Sequence, residues 1–376
     1  MPKPGRNFVG EWFGHRVYPK VAEVPEALRD QRDGRCPFLS SALAEDKRCI
    51  KAEGSFGVCT ITTTYNGVKD WLVCPYRALD VGLFDRIVRR SFGYGPGVEV
   101  TTLPAVTLAA EGARDRVRGA LASGQPVVVF FQDKLGGEVG LPGTEETPEL
   151  SFDIVLAELQ EAPAGPLAVG RYAILEVQTM DFHGSYQKVV RNLSDALRLH
   201  EDGFHKAIAG LPFKLSEDIE GPNIANVFKR TLYQILLKFR LAESEKCAGT
   251  TLMLPRSVWT SWQPHLGRPT LTPLSPGQWS LLGEGEPPSG CWIDVLDVDT
   301  TAPGSPQPLV VGMSIATSAA ALARCAFEEV PRLISEHDSD GTGVLVSIAQ
   351  RLARWWPSVD GGPMQPKRRP RPRRRR

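Results

Sequence analysis

Ser151-Phe-Asp-Ile-Val-Leu-Ala-Glu-Leu159 and Tyr172-Ala-Ile-Leu-Glu-Val-Gln-Thr179 are the two stretches that decide the fold. Both are short and mostly apolar, as expected of strands covered on both faces. Each carries an acid in its apolar run: Asp153 beside Phe152, Ile154 and Val155, and Glu176 between Leu175 and Val177. A carboxylate inside such a strand is costly to bury without a partner. Two partners suit it: a Lys or Arg near the strand end, or a divalent cation, a hard ion that prefers oxygen ligands. Glu176 and Gln178 are two apart, so on a strand their side chains share a face. Val177 then points into the core, with its backbone carbonyl still able to reach a metal. Adjacent strands would bring Asp153 to the same place. A cation there would polarise a phosphoryl oxygen and lower the pKa of a bound water, which the Gln178 amide would orient.

Working outward, Pro126–Gln132 reads as a third buried strand. Helical spacing marks Asp80–Ser91, where Leu83, Phe84, Ile87 and Val88 share a side, and a shorter helix over Glu111–Ser123. Longer helices are expected over Tyr186–Ile208 and Asn223–Glu243. Lys188, Arg191 and Arg198 on the first of these are candidates to line a cleft for nucleic acid, with a solvated helix face as the default reading. Ala162–Gly170 is a Pro/Gly-rich connection, and Gln263–Gly290 reads as irregular. Strand patterns return at Trp292–Val298 and Leu309–Ala316, followed by helices near Ser318–Ser335 and Gly343–Trp355. Strands interleaved with helices specify an α/β protein with a mixed central sheet.

The chain has 376 residues, 42% hydrophobic and 23% charged, values that fit a folded globular chain and exclude a disordered one. No stretch has the apolar length of a membrane helix, and Met1–Trp12 lacks the apolar core of a secretion signal. The expected location is the cytoplasm. The formal net charge of +1 hides an asymmetry: eight of the 44 basic residues fall within Lys367–Arg376, leaving 36 against 43 acidic ones in the body. A nucleic-acid-binding body with that balance must gather its positive charge on one face. The tail itself suits non-specific phosphate contacts.

Four of the seven cysteines, Cys36, Cys49, Cys59 and Cys74, fall in one N-terminal segment. Their spacing is wider than that of a zinc finger. Four thiolates would still close a tetrahedral site for zinc or iron. Pro37 and Pro75 follow two of them and favour fixed turns there. Four unrelated reduced thiols are the alternative. Cys247, Cys291 and Cys325 read as small buried hydrophobes.

Asp153 followed by Glu176-Val177-Gln178 resembles the PD-(D/E)xK nuclease motif. The run Glu176-Val177-Gln178-Thr179-Met180-Asp181, together with the four N-terminal cysteines, is similar to the NotI-type restriction endonucleases, over most of residues 1–356. Gln178 stands where the wider superfamily has Lys, and the NotI type is similar in having Gln there. The resemblance implies Mg²⁺ held by Asp153, Glu176 and the Val177 carbonyl, with Glu138 as an upstream acid. It further implies a single structural iron on Cys36, Cys49, Cys59 and Cys74, with zinc as the other candidate.

The expected organisation is therefore a metal-binding, DNA-contacting module over 1–79, a PD-(D/E)xK core with a mixed sheet flanked by helices over 80–360, and a disordered Arg-rich tail over 361–376. The expected activity is site-specific hydrolysis of double-stranded DNA at a GC-rich palindrome, by a prokaryotic homodimer with a cognate methyltransferase as system partner. A DNA-binding or regulatory protein with an inactive core and a repair nuclease without sequence specificity are the alternatives.

Overall fold

The computed structural model describes residues 6–65, 67–161, 167–286, 289–337 and 343–356. The Arg-rich tail lies outside them. The chain divides into two compact units, residues 1–263 with 270–322, and residues 264–269 with 323–376.

The first unit begins with β1 (Asn7–Trp12), β2 (His15–Arg16), α1 (Pro25–Asp33), α2 (Pro37–Leu43), β3 (Val58–Thr63) and β4 (Lys69–Leu72). The four strands form an antiparallel sheet ordered β2-β1-β3-β4. The sequence reading found few elements here. The reason is that β3, Val-Cys-Thr-Ile-Thr-Thr, is buried along its whole length and shows no alternation. α3 (Val81–Phe92) follows, then β5 (Thr101–Pro104), α4 (Glu111–Ala122), β6 (Val127–Phe131), β7 (Val139–Leu141), β8 (Leu150–Phe152), β9 (Ile154–Gln160) and β10 (Ala168–Val177). Next come β11 (Phe182–Gly184), α5 (Gln187–Leu199), α6 (Phe204–Ala209), β12 (Ile219–Pro222), α7 (Ile224–Leu241), β13 (Cys247–Pro255) and α8 (Arg256–Trp262). β14 (Thr272–Ser275), β15 (Gln278–Ser280), β16 (Cys291–Val298), β17 (Leu309–Thr317) and the start of α9 (Ala319–Arg324) complete the unit.

A nine-stranded mixed sheet, ordered β14-β15-β17-β16-β13-β10-β9-β6-β5, is its centre. β10, β13 and β16 run parallel, whereas β9 lies antiparallel to both β10 and β6. The fold is thus α/β, a large mixed sheet flanked by helices. β13 is a central strand absent from the sequence reading. Its Thr250 and Thr251 are buried and spend their hydroxyls on the Lys238 carbonyl and on Arg90. Buried threonines in Cys-Ala-Gly-Thr-Thr blur the apolar signal of a central strand. The expected helix over Tyr186–Ile208 is two helices, α5 and α6, because His200 leaves helical geometry (φ −138°, ψ 47°) before Gly203. The stretch expected to be irregular, Gln263–Gly290, supplies the short edge pair β14–β15.

One apolar core joins the N-terminal segment to the large sheet. Phe38, Leu39, Leu72 and the buried Cys36, Cys59 and Cys74 pack in the same cluster as Ile87 of α3, Val128 of β6, Leu156 of β9 and Leu175 of β10. Asp80 starts α3 by accepting the Leu83 N–H, and Gly93, in the left-handed region at φ 75°, ends it.

The second unit contains α10 (Val330–His337), preceded by a wide helical turn over Cys325–Glu329, and α11 (Val344–Leu352). Among the described residues no helix is long and apolar enough to cross a membrane.

Candidate active site and cysteine cluster

The β9–β10 ladder ends at the pair Leu175↔Ile154, so Asp153 and Glu176 are the next residues on the two strands. The two strands interlock here through side-chain acceptors. The Val177 N–H donates to Asp153 Oδ2 at 2.8 Å, and the Asp153 N–H donates to Glu176 Oε1 at 3.3 Å. The backbone groups left over where the ladder stops are thereby paired, as partly buried polar groups require. The Gln178 N–H continues to β13 by donating to the Met253 carbonyl at 2.8 Å. The two acids therefore sit at the end of β10, beside the C-terminal end of its parallel neighbour β13, where open α/β sheets bind ligands.

The pair is asymmetric. Asp153 is exposed and forms no ion pair among the described residues, whereas Glu176 is only 8% exposed. Burial, with Asp153 next to it, pushes the Glu176 carboxyl up to about 8, against the pull of Lys238. Although the residue is exposed, desolvation of its carboxyl by the surrounding chain raises Asp153 too, opposed by the Val177 N–H and by Lys238. Two carboxylates sharing one site and both raised have a chemical use for a further cation.

Lys238 was not singled out from the sequence. Its ammonium, 4% exposed, reaches Glu176 Oε2 and lies 5.6 Å from the centre of the Phe152 ring. It comes from α7, the helix packed against β13. Thr231, two turns earlier on the same helix, donates to Gln178 Oε1, while Gln178 Nε2 donates to the Thr179 carbonyl. One helix thus fixes both side chains on this face of β10. The signal in the sequence was a lysine on the apolar side of an amphipathic helix, a place that costs free energy unless a carboxylate is opposite.

Glu138 is exposed, and its side chain makes no hydrogen bond or ion pair among the described residues. It precedes Val139, which pairs with Phe152 across the β7–β8 hairpin, so it stands at the end of the hairpin that leads into Asp153. The structure brings Asp153, Glu176, Val177 and Gln178 together and leaves Glu138 at their margin.

Oxygen ligands fit a hard cation, and the Asp153 carboxylate is the accessible donor. The Val177 carbonyl accepts the Thr179 N–H at 3.1 Å and keeps its second lone pair. Among the described residues no group of three or more His, Cys, Asp or Glu side chains stands at metal-holding spacing.

The four N-terminal cysteines are neighbours. Cys36, Cys59 and Cys74 share one core cluster with Cys49 packed against it; Cys59 and Cys74 interact most strongly, Cys74 and Cys49 raise the Cys36 thiol, and Cys74 raises that of Cys49. Cys36 and Cys74 stand at the N-cap positions of α2 and of the short turn Pro75–Leu79, each followed by Pro at the first helical position, and neither sulfur accepts a capping hydrogen bond. Burial carries the Cys36 thiol up to about 12, against the pull of the Leu39 and Phe38 amides. The Gly57 N–H donates to Cys49 Sγ at 3.4 Å. Cys74 is held below the usual thiol value, first by the Cys59 hydrogen bond and then, against burial, by Lys51 and the Tyr76 and Arg77 amides. Four thiols are the donor set of a tetrathiolate ion site, but among the described residues they do not form a metal-holding group, and the nearby Lys51 ammonium donates to the Val58 and Val73 carbonyls.

No family model matches the chain, and no curated protein is significantly similar to it.

Proposed function

We propose that this chain is a Mg²⁺-dependent endonuclease that hydrolyses phosphodiester bonds in double-stranded DNA at a specific sequence, as type II restriction enzymes do. The observation that carries the reading is the interlock of Asp153 and Glu176 at the end of β10, with Asp153 open to solvent. A buried ion pair with Lys238 accounts for Glu176. It leaves unexplained why a second, exposed carboxylate is aimed at the same spot with no basic partner of its own.

Asp153, Glu176 and the Val177 carbonyl would hold the cation. When bound, magnesium supplies polarisation of a phosphoryl oxygen and a water of lowered pKa. The chain's own residues do the rest. The Val177 N–H fixes the Asp153 carboxylate, and Lys238 fixes that of Glu176. Gln178, uncharged, cannot neutralise the charge that develops on the phosphate. Its carbonyl is held by Thr231, so its amide is pre-positioned rather than free to rotate. Cys36, Cys49, Cys59 and Cys74 would hold a structural iron or zinc that fixes the N-terminal segment. Two copies acting as a homodimer would address the two strands of a palindrome.

The test is digestion of a large plasmid with Mg²⁺, followed by sequencing of the fragment ends. Discrete ends sharing one sequence support the proposal. A smear with random ends assigns the chemistry to a repair-type nuclease, and intact DNA across salt conditions favours a binding protein with an inactive core.

A further inference from the structure

α7 has two working sides, and the reading above uses only one. Its inner side delivers Thr231 to Gln178 and Lys238 to Glu176. Its outer side carries Asn226, Lys229, Arg230, Tyr233 and Gln234, all exposed, with Arg240 further along. These positions recur at three- and four-residue steps, so they form one stripe along the helix. The whole of Ile224–Leu241 contains no Asp or Glu, in a body whose acids outnumber its bases.

Helix stability does not explain this distribution. The first turn has no acidic residue, and Lys229 and Arg230 fall in the N-terminal half, where the helix dipole favours negative charge instead. The stripe is also poorly occupied. Among the described residues the ion pair of Arg230 is with Asp181, at 4.0 Å with both side chains more than 60% exposed, and Lys229 makes none. Asn226, Tyr233 and Gln234 make no side-chain hydrogen bond there either. Two of the three basic residues of α5 are occupied, Lys188 by Asp218 at 2.9 Å and Arg198 by Asp195 at 3.1 Å, while Arg191 makes no ion pair among the described residues.

The location is specific. The Asn223 N–H donates to the Asp181 carbonyl at 2.9 Å, which anchors the start of α7 just past the end of β10. The helix therefore meets the carboxylate pair at Lys238, in its C-terminal half, while its N-terminal half, which carries Lys229 and Arg230, runs past Gln178 toward Asp181. Its side chains are of the kinds that read a major groove: amides for adenine, Arg and Lys for guanine or phosphate, and Tyr for the backbone.

We infer that the outer stripe of α7 is the duplex-binding surface of this protein, docking in the major groove beside the scissile phosphate. The inference rests on the endonuclease reading and adds the element that reads the DNA. Because one helix holds both the stripe and the site, docking of the stripe sets the position of the phosphate relative to Asp153 and Glu176.

The experiment is anisotropy of a labelled mixed-sequence duplex with the full chain, with Ca²⁺ in place of Mg²⁺, over a range of salt. Wild type is compared with Lys229→Ala/Arg230→Ala and, as a control on α4, with Arg116→Ala/Arg118→Ala. Loss of two phosphate contacts should lower the slope of log affinity against log salt by about 2 and weaken binding at least about tenfold at low salt. The α4 variant should match wild type. All three proteins keep the Arg-rich tail, so its contribution cancels in the comparison. Unchanged slope and affinity in the α7 variant, with wild type binding and cutting DNA, would overturn the α7 inference and leave the endonuclease reading standing. A wild type that binds no duplex at any salt would overturn both.

Discussion

Lys238 of α7 reaches the carboxylate of Glu176 on β10, although the position next on that face of the strand, 178, is a glutamine. The positive charge absent from the strand is present in the site, delivered from a helix 62 residues further along the chain.

Removing it should be costly in two ways. Lys238→Met leaves Glu176 buried without a cation, and breaking a buried pair from one side costs about 3–5 kcal/mol. Denaturant unfolding of Lys238→Met, Glu176→Gln and the double variant should show the double variant less destabilised than Lys238→Met alone. Single-turnover cleavage by Lys238→Met, measured where it remains folded, should fall at least about tenfold. Additive stability losses would show that the two residues do not act as a pair.

The cysteine cluster predicts a bound ion. Elemental analysis of the purified chain should find one iron or zinc per chain, and Cys74→Ser should lose it. Because Cys36, Cys59 and Cys74 lie in the same core as the large sheet, chelation should lower the melting temperature of the whole unit, by on the order of 5–10 °C. A metal-free protein indifferent to chelators would show that the thiols serve only as core.

Acid stability should depend on Asp30. Its carboxyl is almost fully buried, which by itself raises the pKa, yet the His15 hydrogen bond and then Arg35 bring it below the ordinary value. A carboxylate depressed on folding contributes stability above its unfolded pKa and loses it as pH falls through the folded one. Melting temperatures below about pH 4 should therefore drop more steeply for wild type than for Asp30→Asn. At neutral pH the variant should be the less stable by a few kcal/mol. Parallel curves for the two proteins would contradict this assignment.

The parts of the fold legible in the sequence were those whose pattern is local. β6, β9, β10, β16 and β17 are apolar runs, and α3, α4 and α7 show helical spacing; the structure places them within a few residues of the expected bounds. β13 was not legible, because Thr250 and Thr251 are buried by partners distant in sequence, Lys238 and Arg90. The site divides in the same way. Asp153, Glu176 and Gln178 stood out as candidates because an acid or amide in an apolar strand is locally anomalous. Lys238 could not be assigned, since a lysine within a helix is ordinary until the opposite strand is known. Glu138 remains at the edge of the site, exposed on the hairpin before Asp153.

The central claim is that Asp153 and Glu176 form one hydrolytic site. Its most direct test is cleavage of phage DNA by wild type and by Asp153→Ala, each with Mg²⁺ and with EDTA, after both proteins are shown to be folded. The account predicts a set of discrete fragments from wild type with Mg²⁺ and intact DNA in the other three reactions. Equal cleavage by Asp153→Ala, or cleavage that persists in EDTA, would contradict it.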